Sequence, residues 1–399
     1  MSSAFRNRLT PRAGPVARLA SGLFLTVLAL TTPSAYAEYG LTFQRPVTTI
    51  AHDIFGLHNT ILIICLGIFV IVFGFMFYSL IVHRKSRGYK PATFNDNTTV
   101  EVAWTVVPFV ILIAMAIPST AVLLKMDDTS QADLTVNVTG YQWKWKYDYP
   151  DQDLSFFSNL ATPREQIGSP RFSSAGGSKD VAVQKGDNYL LEVDNPVVLP
   201  VGKKVRFVFT ANDVIHAWWV PQLGVKKDAV PGYVTESWAV IDEPGSYRGQ
   251  CAELCGKDHG FMPIVVQAVA PEDFEKWVVA QKAKARAEAE AAASRTFAKD
   301  ELMERGQKVY AQTCGVCHGA NGEGVATFPK LAGSAIAKGP AAGHMDIVLN
   351  GKPGTAMQAF GAQMNDLDLA AVITYERNAF GNNTGDVVQP AQVKAARKQ

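Results

Sequence analysis

Two uncharged apolar runs, residues 60–82 and 103–124, constrain this 399-residue chain more than any other feature. Each is long enough to cross ~30 Å of hydrocarbon as a helix. A soluble helix of that length would show a polar face. The connection between the runs carries Arg84, Lys85, Arg87 and Lys90, and such a cluster marks the cytoplasmic side of a membrane. The pair therefore predicts a transmembrane hairpin with both ends outside, and everything after Leu124 in the outer compartment. Glu101 stands at the cytoplasmic mouth of the second run. An interfacial charge facing water accounts for it; a carboxylate at the edge of a span can also feed protons to a neighbouring subunit.

Ahead of the hairpin, Arg6, Arg8, Arg12 and Arg18 precede an apolar stretch over 19–30 and then Ala35-Tyr36-Ala37. This order predicts a signal peptide over 1–37, cleaved after Ala37, with an uncleaved anchor as the alternative. The length leaves room for two or three globular units. A net charge of +2 gives no argument for nucleic acid as a partner. Four of the five cysteines fall in two clusters, and Cys65 lies alone in the first apolar run. The clusters are therefore read as ligands rather than as a disulfide framework.

Residues 131–270 read as short strands punctuated by Gly, Pro and Asp, an all-β unit. The stretches 134–138, 189–193, 204–209, 247–250 and 263–269 are the clearest, and 151–185 reads as a surface insertion. Between the last two strands lie Cys251, Cys255, His259 and Met262, with His216 upstream. Two thiolates, two imidazoles and a thioether suit copper better than calcium or magnesium. They exceed what a single blue-copper ion uses, and two coppers bridged by both sulfurs would employ the full set. Tetrahedral zinc on the cysteines and histidines is the alternative.

Residues 271–299 are rich in Ala, Lys, Glu and Arg and predict a helical linker, about 40 Å long if continuous. A last, all-α unit follows over 300–380, with 381–399 read as a tail. It opens with Cys314-Gly315-Val316-Cys317-His318, the pattern of covalent c-type haem attachment with His318 as proximal ligand. Met345, Met357, Met364 and His344 are the candidates for the distal position. Met357 stands in a Gly- and Pro-containing loop. Met364 has a local explanation, because Asn365 is a helix N-cap candidate and Met364 can staple onto Leu369.

The residues 213–221, Asp-Val-Ile-His-Ala-Trp-Trp-Val-Pro, and 249–263, around the two cysteines, resemble cytochrome c oxidase subunit II. The last unit resembles a class I cytochrome c, whose usual Met-Pro-Ala-Phe stands here as Met357-Gln358-Ala359-Phe360. The resemblance covers about residues 40–270 and implies a cupredoxin fold with a dinuclear CuA centre. Its ligands would be His216, Cys251, Cys255, His259, Met262 and the backbone carbonyl of Glu253. The Glu253 side chain would reach a magnesium shared with subunit I. Trp143, in the aromatic run 140–149, would receive electrons, although the family usually has His where Tyr141 stands. Glu101 would match the carboxylate at the mouth of a proton channel.

The implied protein is subunit II of a caa-type oxidase in a bacterial inner membrane, with both redox domains on the periplasmic side. Its partners would be subunits I and III, and its donor a cytochrome c or a quinol–cytochrome c reductase. The input subunit of a CuA-type nitric oxide reductase and a membrane-anchored electron shuttle are the competing readings. Glu101 and Glu253 speak against the shuttle, since holding copper or haem needs neither.

Overall fold

A computed structural model describes residues 42–162, 164–167, 185–325 and 327–397. The expected signal peptide lies outside the described residues.

The hairpin is two long helices, α1 (Thr49–Val82) and α2 (Thr98–Asp127). Thr48 and Asn97 cap them by accepting from the amides of Ala51 and Val100. Both helices outrun the apolar stretches. The extra turns of α1 meet the β unit: Ile50 and Ala51 are buried, and Thr48 Oγ1 donates to Leu223 O at 2.8 Å. At the end of α2, Lys125 pairs with Asp53 and its carbonyl accepts from Trp238 Nε1 at 3.1 Å. Pro108 and Pro118 lie within α2 without ending it, as membrane helices tolerate.

The β unit packs two five-stranded sheets. One has the order β3 (Leu154–Ser158), β2 (Lys144–Tyr149), β1 (Leu134–Tyr141), β5 (Lys204–Ala211) and β8 (Thr235–Val240). The other runs β4 (Val197–Pro200), β10 (Pro263–Val269), β9 (Gly245–Cys251), β6 (His216–Val220) and β7 (Val225–Ala229). Alternation decides which side chains enter the core. On β2, Trp145, Tyr147 and Tyr149 are wholly buried, and on β5 so are Val205, Phe207 and Phe209.

Two expectations fail here. Residues 189–193 do not form a continuous strand: Tyr189 N donates to Gly186 O and Leu191 N to Asn188 O in a turn, and beyond it Glu192 O accepts from Ala161 N and Val193 makes one isolated bridge to Leu160. The stretch read as a surface insertion contributes β3, which pairs with β2 from Trp145↔Ser158 to Tyr149↔Leu154.

The linker helix α3 (Pro271–Ser294) starts with Phe274 and Val278 in the β core. It stops earlier than expected. Phe297 turns into the last unit, where Gln389 bonds both its N–H and its carbonyl. That unit contains α4 (Lys299–Val309), α5 (Ala341–Asn350), α6 (Asp366–Asn378) and α7 (Pro390–Ala396). Gly306 lets α4 cross α6 closely, since a Cβ there would lie 2.2 Å from Ala371 O. The segment read as a tail carries α7. Val388 and Val393 are buried in the core, and Gln389 and Gln392 form a reciprocal capping box.

Candidate functional site

The loop between β9 and β10 brings its sulfur and nitrogen donors into mutual contact. Cys251 Sγ lies 3.8 Å from Cys255 Sγ, 3.9 Å from His216 Nδ1 and 3.3 Å from Glu253 O. Cys255 Sγ lies 3.4 Å from His259 Nδ1 and 3.6 Å from Met262 Sδ. Every expected copper ligand is thus in one cluster, centred on the two sulfurs. His216, Cys251, Cys255 and Met262 are buried, and the Glu253 side chain is exposed.

Strand geometry explains the placement. His216 opens β6 beside β9, whose end carries Cys251. Gly140 on β1 leaves room for the imidazole, because a Cβ there would stand 2.7 Å from the His216 ring. The donor set fits a thiolate-bridged copper pair in kind and in number.

Electrostatics prepares the cluster. The Sγ–Sγ hydrogen bond holds Cys251 far below the ordinary thiol range and keeps the proton on Cys255. His216 Nε2 donates to Asp213 Oδ1 at 2.9 Å, which leaves Nδ1 facing the sulfurs. Burial opposes charge on both partners. Hydrogen bonds outweigh it, leaving Asp213 below the usual carboxylate range and His216 above the usual imidazole range. Asp213 was not singled out from the sequence; its place three residues before His216 was the available signal.

The haem motif lies at the end of α4, which continues through a π-helical turn (Tyr310–Cys314) into one α-turn (Gly315–His318). Cys314, Cys317 and His318 line a cavity of about 1150 Å³, together with Met357, Met364 and His344. His318 Nδ1 donates to Pro329 O at 2.7 Å, so Nε2 is the nitrogen free to bind iron. This arrangement fits a c-type haem.

The distal candidates separate in part. Met345 packs into the helical core. His344 Nε2 is engaged by Glu376 at 2.9 Å. Met357 and Met364 both line the cavity, and Asn365 caps α6 as expected by accepting from Asp368 N.

The cavity also has walls from the β unit, including Gln142, Trp143, Lys144 and Lys257. Trp143 Nε1 donates to Cys255 O at 3.2 Å, so one indole touches the copper loop and lines the haem cavity. Glu101 lies in the first turn of α2, at the other end of the hairpin from these sites.

Comparison with known proteins agrees with this geometry. The family model for the transmembrane domain of cytochrome c oxidase subunit II matches residues 36–122, and the model for its periplasmic domain matches 134–269. A model for subunit III of cbb3-type cytochrome c oxidase matches 301–375, the cytochrome c-type unit. A probable cytochrome c oxidase subunit 2 of Rickettsia felis is 37% identical over 258 residues, which is 65% of this chain and 77% of the relative. Cytochrome c oxidase subunit 2 of Cereibacter sphaeroides is 39% identical over 249 residues, 60% and 79% of the two chains. The crystal structure of the periplasmic domain of subunit II from Bradyrhizobium japonicum is 42% identical, with a TM-score of 0.32, and covers 39% of this chain and 98% of that one. The chain belongs to the cytochrome c oxidase subunit II family, part of an oxidoreductase complex, and carries a cytochrome c-type domain behind its copper domain.

Proposed function

We propose that this chain is the electron-input subunit of a terminal haem–copper oxidase. Electrons arrive at the cytochrome domain, cross to the copper domain and leave for subunit I, which reduces dioxygen to water and pumps protons. When bound, a haem held by Cys314, Cys317 and His318 and a copper pair held by His216, Cys251, Cys255, His259, Met262 and the Glu253 carbonyl supply the one-electron carriers. Met357 is assigned the distal haem position. The Glu253 side chain is assigned to a magnesium shared with subunit I. The chain would lie in a bacterial inner membrane with both redox domains in the periplasm, beside subunits I and III. A soluble cytochrome c or a quinol–cytochrome c reductase would be its donor. The domain limits that follow are the hairpin to 130, the copper domain over 131–270, the linker over 271–298 and the cytochrome domain over 299–397.

The observation that carries this reading is Trp143. Its indole N–H bonds the carbonyl of Cys255 while its side chain lines the cavity of the haem motif. Asp213 holds His216 in one tautomer, and the Pro329 carbonyl does the same for His318. Both metal-facing nitrogens are thereby oriented before any metal binds, which limits reorganisation during transfer.

The test is the optical spectrum of the purified complex together with oxygen uptake. Oxygen consumption with both c-haem and copper signatures is expected; nitric oxide reduction without oxygen uptake would sink the proposal. Glu101→Gln is expected to slow steady-state oxygen reduction and to leave both spectra unchanged, because an amide cannot carry a proton through the channel mouth. Unaltered uptake by the assembled variant would make Glu101 a plain interfacial charge.

A further inference from the structure

Gln358 occupies the position where the resemblance to other cytochromes leads one to expect proline. Its amide reaches out of the cytochrome domain: Nε2 donates to Asp213 Oδ2 on the copper domain at 3.2 Å. Its Oε1 accepts from Gln363 Nε2 at 3.3 Å, and that same nitrogen donates to Ala359 O at 2.8 Å. A carboxylate only accepts, so the NH2 end of Gln358 must face Asp213.

Asp213 is already committed to the copper site. Its Oδ1 accepts from His216 Nε2 at 2.9 Å and from Val214 N at 2.7 Å, and its Oδ2 accepts from Gln142 N at 2.7 Å. One carboxylate therefore joins a copper ligand, the turn that carries Trp143 and the loop that carries Met357. Two further contacts flank it. Lys257 Nζ, on the copper loop, donates at 2.9 Å to the carbonyl of Val316, which lies between the haem cysteines. Lys144 Nζ stands 5.7 Å from the centre of the Phe360 ring. Proline at 358 would have neither a side-chain donor nor a backbone N–H to offer Asp213.

We propose that Gln358 is a positioning residue that docks the cytochrome domain onto the copper domain through Asp213 and so fixes the distance from the haem to Trp143. The proposal rests on the functional reading above. The transfer it serves takes one electron from ferrous haem and reduces the oxidised copper centre. Tunnelling falls steeply with separation, so an undocked cytochrome domain transfers slowly even with both cofactors intact.

The experiment compares Gln358→Glu and Gln358→Lys in the assembled complex. It reads the haem-to-copper transfer rate after photoreduction and the hydrogen–deuterium exchange of residues 142–143 and 256–258. Glutamate sets two carboxylates face to face, so transfer should slow by about tenfold or more and exchange should rise. Lysine restores a donor as an ion pair. It should return both readouts toward wild type at low salt, and lose that rescue at high salt. The far-red sulfur-to-iron band should persist in both variants. Unchanged rate and exchange in the Glu variant overturn the proposal, as does a Lys variant no better than Glu at low salt. Loss of the far-red band in both overturns it too, because Gln358 would then serve the haem loop alone. Exchange reports docking whatever the final electron acceptor is. The functional reading fails separately, if the wild-type complex lacks copper or haem signatures.

Discussion

The copper loop and the loop proposed to lie distal to the haem each carry a methionine assigned as a ligand in the proposed function, and they are built in opposite ways. Residues 251–262 are clamped between β9 and β10, which pair from Pro263↔Gln250 to Ala268↔Gly245. Their donors touch one another, and Met262 is almost wholly buried. Residues 351–365 run between two helices and are tied by single bonds, such as Lys352 N to Met357 O at 3.0 Å and Phe360 N to Val348 O at 2.9 Å. Met357 is half-buried and lines a cavity of about 1150 Å³ rather than touching His318. A site for small ions can be set by the spacing of strands alone. A site for a cofactor as large as a domain core must leave room, so its ligands cannot fix each other. Rigid elements hold ligands more tightly than loops do.

The strongest challenge to this contrast is Cys251→Ser. It should abolish the dinuclear copper signal and leave the haem spectrum intact, because one thiolate cannot bridge as two do. Survival of the seven-line resonance of mixed-valence copper in this variant would break the assignment. Next in size is Met357→Leu, which should remove the far-red sulfur-to-iron band, whereas Met364→Leu should mainly cost stability. The reverse outcome would exchange the two sulfurs, since both line the cavity.

A smaller effect belongs to the boundary between the two sites. Burial pushes the Lys144 ammonium down to about 8. An unfolded lysine keeps its proton to about 10.4, so between these values the unfolded chain binds the extra proton and stability rises with pH. The gain, on the order of 3 kcal/mol, is complete above that window and absent below pH ~8. Lys144→Met should flatten this slope in denaturant titrations; an unaltered slope would show that another group sets it. The smallest effect is Asn365→Ala, which removes the cap on α6 at a cost of about 1 kcal/mol. Chemical unfolding should report the loss while the copper resonance stays the same.

What could be read from the sequence follows the same division. Cys251, Cys255, His259 and Met262 lie within one loop, so short spacing marked them as candidates; His216 was an imidazole available upstream, and Glu253 came only with the family resemblance. The fold class was legible because the apolar runs, the strand alternation and the Ala- and Glu-rich linker each impose a different periodicity. Gln358 and Lys257 could not be assigned roles, since their partners lie in another domain, Gln358 and Asp213 being 145 positions apart; Asp213 had only its place three residues before His216 to mark it. Residues 189–193 alternate like a strand, but the preceding Gly186 and Asn188 offer turn bonds that no hydropathy pattern records. The segment after Gly381 reads as a tail, yet Val388 and Val393 are buried in the core and anchor a short helix.

The linker helix has a consequence for how the donor competes. Its first turns are rooted in the copper domain by Phe274 and Val278, and its 24 residues extend roughly 36 Å before Phe297 anchors the next domain. A partner held on such a leash meets its target at an effective concentration in the millimolar range. A few polar contacts around Asp213, Lys257 and Lys144 are then enough to keep the two domains together, although they would be weak between separate molecules. On the proposed function, transfer between the domains would be a first-order event that dilution does not slow. A free cytochrome reaching for Trp143 would, on the same proposal, first have to displace the resident domain, which would steer soluble donors to the tethered one.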